Sequence, residues 1–355
     1  MSNESNQVTV GILEGDCLAY LEKGITKVHL TFLDPPFNQG KDYKYFDDEQ
    51  HPEAYWEWLK KVLVFILKHT VDGGSVYFMQ REKNVDWMMK ALKEAGWTFQ
   101  NLIIWKKLTS AIPCRFRFSK QHQVIIFATK GKKPRMFNRL RIDYAIKPWH
   151  KYGRSNGIYV PDVWDDIREL TSGYFAGNEA IRDQKGKRIH EQQSPVALLL
   201  RIVLSSSMPG DVVFDPFAGT GTTLVVAHQL KRNAIGIEID PFYVDIIRKR
   251  MKPLRDADDI SRYRNYYRFT SSLDEIWPTE GLEKYIPIPE SIDVSPKAKV
   301  SEGKSGWEKL KASLPTLEAV EERLRRAREK SLSSSYIGTL ERLKAYRIKE
   351  LQKNA

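Results

Sequence analysis

Cysteine is nearly absent: Cys17 and Cys114 are the only two in 355 residues. Two such thiols build neither a disulfide framework nor the paired spacing of a zinc site, so no metal is expected and both read as small buried hydrophobes. No apolar run approaches the ~20 residues that cross a bilayer, and no membrane partner is expected. The opening MSNESNQ lacks the basic-then-apolar order of a secretory signal, so a cytoplasmic enzyme is the expectation. Internal repeats and long low-complexity tracts are also missing. What remains is 41% hydrophobic and 29% charged, enough for one sizeable α/β domain plus an appendage. Positive charge is in excess, +12 formally with a pI near 9.4, which points to a polyanionic partner and says nothing about fold.

Short β-branched or aromatic runs alternate with amphipathic segments. The period predicts strands at 8–13, 27–33, 74–80, 97–105, 123–129, 211–216 and 233–239, and helices near 52–69, 82–95, 194–206, 221–231 and 241–251. That alternation predicts a doubly wound α/β fold with a mostly parallel, seven-stranded sheet, whose ligands bind beyond the carboxyl ends of the strands. The alternation fails over 131–189 and again from about 256.

Two strands run into Asp-Pro. In VVFDPFAGTGTT, residues 212–223, Gly219 and Gly221 permit positive φ and a close approach of backbone to ligand, while the helix that starts there presents free amide groups. A lone GxG also suits a tight turn with no ligand. Glu238, about twenty residues on at the end of AIGIEID, favours a nucleotide-like cofactor because it is placed to accept from ribose hydroxyls. The absence of GK[ST] excludes a P-loop. In KVHLTFLDPPF, the stiff prolines fix Asp34 and the Pro35 carbonyl as two acceptors, the arrangement that suits an exocyclic amino group, and Phe37 offers a face for a base to stack on. An isolated DPP more commonly marks a capping Asp and a proline turn.

Together these stretches make the sequence resemble the amino-group DNA methyltransferases that use S-adenosylmethionine. DPPF matches the catalytic tetrapeptide and DPFAGTGTT the cofactor loop, joined by EGDCLAYL and IGIEIDPFYVDIIRKR. Catalytic motif first and cofactor loop about 180 residues later is the order of the β class, which implies a circularly permuted Rossmann-like methyltransferase fold. The resemblance covers roughly 8–252. It implies that Asp34, Pro35, Pro36 and Phe37 are catalytic, that Asp16 contacts the cofactor adenine, that Asp215, Phe217, Gly219, Gly221 and Thr222 form the cofactor loop, and that Glu238 binds ribose. RIHEQQSPVALLLRIV is similar to the family's HPxQKP and the helix after it, with Glu191 in place of the proline and Ser194 in place of the lysine. Ser194 either lends a hydroxyl to the cofactor or caps the helix.

The resemblance divides the chain into a catalytic half, 1–130, a target-recognition insert, 131–189, a cofactor half, 190–255, and a basic, helical extension, 256–355. Within the insert, 130–154 interleaves cations with Phe137, Tyr144, Trp149 and Tyr152, and Lys132, Lys133, Arg135, Arg139 and Arg141 are the candidate DNA contacts, unless this is a basic surface loop. The expected activity is methylation of adenine N6 in flipped-out duplex DNA, by a monomer or homodimer alongside a cognate restriction endonuclease. Cytosine N4 is the alternative base. A non-catalytic binding protein, or an enzyme acting on RNA or protein glutamine, is the alternative class.

Overall fold

All seven alternating runs form strands at the expected places in the computed structural model. It describes residues 8–41, 43–108, 113–144, 155–170, 177–190, 192–279 and 316–329, and Leu340, Glu341, Lys344, Arg347 and Ile348 beyond them. The chain divides into two units, Met1–Pro35 with Trp56–Pro296, and Pro36–Tyr55 with Lys297–Ala355.

The first unit is built on β1 (Val10–Glu14), β2 (Val28–Leu33), β3 (Thr70–Gln80), β4 (Thr98–Lys106), β5 (His122–Thr129), β6 (Arg141–Ile142), β7 (Ile158–Tyr159), β8 (Val163–Trp164), β9 (Val212–Asp215) and β10 (Asn233–Glu238). Its sheet has eight strands, one more than expected, in the order β1-β10-β9-β2-β3-β5-β4-β8; β6 and β7 pair separately. The added strand is the two-residue β8, too short for a period-2 pattern to mark. Within the eight-stranded sheet pairings are parallel except those of β5 with β3 and β4. The central strands read as unbroken apolar runs because both faces are covered: in β5 every residue after His122 is buried.

The helices are α1 (Cys17–Lys23), α2 (Pro52–His69), α3 (Val85–Glu94), α4 (Val196–Ser206), α5 (Thr222–Gln229), α6 (Pro241–Arg250) and α7 (Leu273–Ile276). The heptapeptide α1 escaped the periodic reading because it is two turns long, held by the Asp16 cap rather than by an apolar stripe. α4 is apolar all round and buried along almost its whole length, and it packs against α5. Its one charge, Arg201, is 1% exposed and ion-paired with Asp166; Tyr267 faces the same guanidinium and Tyr266 donates to Asp166 at 2.7 Å.

That cluster runs past 256, where the extension was expected to begin. Tyr267, Ile276 and Trp277 are buried, and Arg250, in α6, pairs with the fully buried Asp258 at 2.7 Å. Residues 256–277 therefore complete the core of the first unit. Cys114 is exposed, unlike the buried Cys17, against the expectation for both. Among the described residues no helix is long and apolar enough to cross a membrane.

In the second unit, the buried Asp48 carboxylate gathers the backbone N–H groups of Asn38 at 2.7 Å and of Gln39 and Lys41 at 3.1 Å, folding the chain after Phe37 into a tight loop. The Tyr55 hydroxyl donates to the Pro36 carbonyl at 2.6 Å. α8 (Leu317–Glu329), in the extension expected to be helical, buries Val320 and Leu324, and Arg323 pairs with Asp47 at 2.8 Å on that loop. Most of the extension beyond 279 falls outside the described residues, as do Trp149 and Tyr152.

Candidate active site

β1, β10, β9, β2 and β3 run parallel, so their carboxyl ends share one edge. Register places Glu14 beside Glu238, Gly236 beside Asp215 and Leu33 beside Phe78, which brings Asp16, Glu238, Asp215 and Asp34 to that edge. The chain steps from β2 to β3 on one side and from β9 to β10 on the other. The switch point of the sheet therefore lies between β9 and β2, where Asp34 and the glycine loop emerge.

The loop after β9 is held from below. Asp215, 3% exposed, accepts from Thr223 Oγ1 at 2.6 Å and from the Phe217 N–H at 3.0 Å; burial pushes its pKa up to about 6 against those bonds. Thr222 is also turned inward, its hydroxyl accepting from Arg250 at 3.0 Å. Both residues shape the loop from within. Gly221 has φ +79°, and a Cβ there would lie 2.8 Å from Ile247 Cγ1, so the glycine is required by the packing of α6. At Gly219, φ +53°, a Cβ would meet only His190 at 3.6 Å. Phe217 takes the edge of Trp58, centroids 5.8 Å apart.

Glu238 is the polar centre of the cradle. Oε2 accepts from the Gly219 N–H at 2.8 Å and Oε1 from the Asp240 N–H at 2.9 Å, and burial raises its pKa to about 7. A carboxylate has about four acceptor sites, so two N–H donors leave capacity for hydroxyl donors. Asp16, two residues past the end of β1, whose Glu14 pairs with Glu238, caps α1 through Oδ1, which accepts from the Ala19 N–H at 3.0 Å. A buried acid with spare acceptor sites, backing a glycine loop at a helix N-terminus, fits the ribose and adenine ends of a nucleoside cofactor.

Asp34 leaves β2 with the Ser194 hydroxyl 3.4 Å from its Oδ2. Ser194 is no cap for α4: the N-cap is Pro195, and the Val196 N–H is taken by Glu179 Oε1 at 2.5 Å. Among the described residues no donor is bonded to the Pro35 carbonyl. Phe37 is buried, 6% exposed. Two residues near this machinery were not singled out from sequence. His190 stands over Gly219 and packs edge-on to Tyr243 at 5.0 Å; the RIHEQQSP segment pointed to it. Lys107 has its pKa lowered by burial and by Lys120, with Glu169, Asp34 and Glu82 opposing, which places it in the field of Asp34; nothing local in the sequence marked it.

The candidate DNA contacts divide. β5 runs against β3, pairing Gln80 with Val124 and Ser75 with Thr129, so the chain reaches Lys130 at the opposite edge of the sheet, about 26 Å along the strand direction from His122 at ~3.3 Å per residue. Lys132, Lys133 and Arg135 follow there and are not brought to Asp34. Arg135 is ion-paired with Asp211, and its backbone N–H donates to Gly73 at 2.8 Å. Arg139 and Arg141 stack over Tyr159 at 4.3 and 4.6 Å. The pattern of cations and aromatics had no means of telling one end of a strand from the other.

Residues 28–249, more than half of the chain, match the family model described as DNA methylase. The chain is 32% identical over 278 residues to the Type II methyltransferase M.HinfI of Haemophilus influenzae, covering 72% of each chain. It is 31% identical over 257 residues to the DNA adenine methyltransferase YhdJ of Escherichia coli (strain K12), covering 68% of this chain and 82% of that one. In fold it is similar to the PvuII DNA methyltransferase (cytosine-N4-specific), with TM-score 0.53 and 19% identity over 76% of this chain and 94% of the other.

Proposed function

The chain belongs to the amino-group DNA methylase family, and from that premise we propose that it methylates adenine N6 at a specific site in duplex DNA. S-adenosylmethionine is the cofactor, and when bound it supplies a sulfonium methyl that needs no further activation. Asp16, Glu238 and the Phe217–Gly221 loop are the residues that would hold it.

The observation that carries the reading is Asp34 at the switch point, one strand from that cradle. An exocyclic amino nitrogen is a poor nucleophile because its lone pair is delocalised into the ring. Asp34 and the Pro35 carbonyl accept its two hydrogens and favour the charge distribution of attack. The prolines keep both acceptors fixed, and the Ser194 hydroxyl donates to Asp34, so little reorganisation is needed in the reaction. Asp34 need not be a strong base, because the nitrogen becomes acidic once methylated.

Adenine is favoured over cytosine by the DPPF form of the tetrapeptide and by the YhdJ relative's name. The M.HinfI relative is named a Type II methyltransferase, and by the same reading this chain, as monomer or homodimer, protects cytoplasmic DNA from a cognate restriction endonuclease. The test is transfer of a labelled methyl group to duplex DNA, RNA and protein, followed by nucleoside analysis. N6-methyladenine is expected. N4-methylcytosine would reassign the base, and label in RNA or protein alone, or in nothing, would overturn the reading.

A further inference from the structure

Residues 113–120, PCRFRFSK, connect β4 to β5 and have no role in the site described above. Phe116 is 89% exposed and Phe118 101%, whereas the next most exposed large hydrophobic among the described residues is Phe242 at 55%. A phenylalanine has no polar atom to justify full exposure, and two in one loop call for an occupant. The stem of the loop is fixed: the Lys107 N–H donates to the Gln121 carbonyl at 2.8 Å, and Lys120 is ion-paired with Glu82, just past the end of β3. Register carries this stem to the active edge, since Lys106 pairs with His122, Gln80 with Val124 and Leu33 with Phe78. Lys107, at its base, lies in the field of Asp34.

The chemistry of the tip selects the partner. Arg115 and Arg117 alternate with the two rings, and the Arg115 guanidinium carbon is 5.1 Å from the Phe116 ring centroid. Flat apolar faces among fixed cations suit a polyanion that has apolar faces of its own, which describes stacked bases between phosphates. Taking one nucleotide out of a duplex leaves a gap in the stack that an apolar side chain can fill.

We propose that this loop is a DNA wedge: Phe116 and Phe118 enter the base stack where the target nucleotide leaves it, while Arg115 and Arg117 hold the flanking phosphates. The inference rests on the duplex-DNA reading and deepens it.

The test first locates the modified sequence by sequencing genomic DNA treated with the enzyme. It then compares two duplexes carrying that sequence, one fully matched and one with a mismatch opposite the target base, which is already partly unstacked. Phe116→Ala/Phe118→Ala should lower kcat/KM on the matched duplex on the order of 10- to 100-fold, yet stay within about 3-fold of wild type on the mismatched one. Phe116→Trp/Phe118→Trp should restore most of the loss. S-adenosylmethionine affinity, as the control for folding, should not change. Equal losses on both duplexes, or no loss on either, would overturn the wedge. A wild-type enzyme that modifies no DNA would overturn the duplex reading itself, and the wedge with it.

Discussion

At the edge where the parallel strands begin, two cations are answered from within the protein: Arg135 pairs with Asp211, and Lys130 donates to the Thr70 carbonyl at 2.8 Å and lies 3.5 Å from Asp72. At the edge where they end, the 113–120 loop projects two bare rings and two arginines, and Glu238 and Pro35 keep spare acceptors. Deeper still, Arg201, Arg232 and Arg250 are almost wholly buried and bond to carboxylates, backbone carbonyls and hydroxyls. A formal +12 is therefore no map of a DNA-binding face.

The contrast is broken most severely at Asp34. Asp34→Ala should lower methyl transfer by at least about 1,000-fold, roughly 4 kcal/mol of transition-state stabilisation, with S-adenosylmethionine binding held within about 3-fold by calorimetry. Near-normal turnover would remove Asp34 from the mechanism.

Glu238→Gln should weaken cofactor binding by about 10-fold, because ribose hydroxyls donate better to a carboxylate than to an amide. Burial raises this acid from 4.5 to about 7, so part of the free enzyme is protonated at neutral pH. Cofactor binding should tighten from pH 6 to pH 8 in the wild type and stay flat in the variant. Stability has the opposite sign: the native state prefers the proton, so stability is fully present below about 4.5 and falls as pH rises through about 7, by roughly 2–3 kcal/mol from this group. Urea midpoints across that window should fall in the wild type and much less in Glu238→Gln.

DNA binding across salt concentrations compares the two edges directly. Arg115→Ala/Arg117→Ala should flatten the slope of log affinity against log salt by up to ~0.9 per lost phosphate contact, and Lys132→Ala/Lys133→Ala should leave it unchanged. A reversed result would move the DNA footprint to the far edge. Smallest of all, Arg135→Ala should cost about 1 kcal/mol in urea unfolding, reduced by the partial exposure of the Arg135–Asp211 pair, with DNA affinity at moderate salt unaffected.

The seven long strands, five of the helices and both Asp-Pro turns were legible because each depends on local periodicity or on the fixed geometry of proline and glycine. The sequence by itself determined that a glycine turn opening a helix and a rigid pair of acceptors exist, since FAGTGTT and DPPF carry those constraints within a few residues. Only the tertiary structure decided which edge each basic segment reaches. The antiparallel β5 carries Lys132, Lys133 and Arg135 away from Asp34, and brings the stem of PCRFRFSK to the edge that Asp34 shares. It also decided that Asp215 and Thr222 face inward, that 256–277 belongs to the core through Arg201, Asp166 and Tyr267, and that Gly221 answers to Ile247. Those are contacts between residues up to about a hundred positions apart, fixed by strand direction and by the desolvation of buried charge, and neither is written in any short stretch of chain.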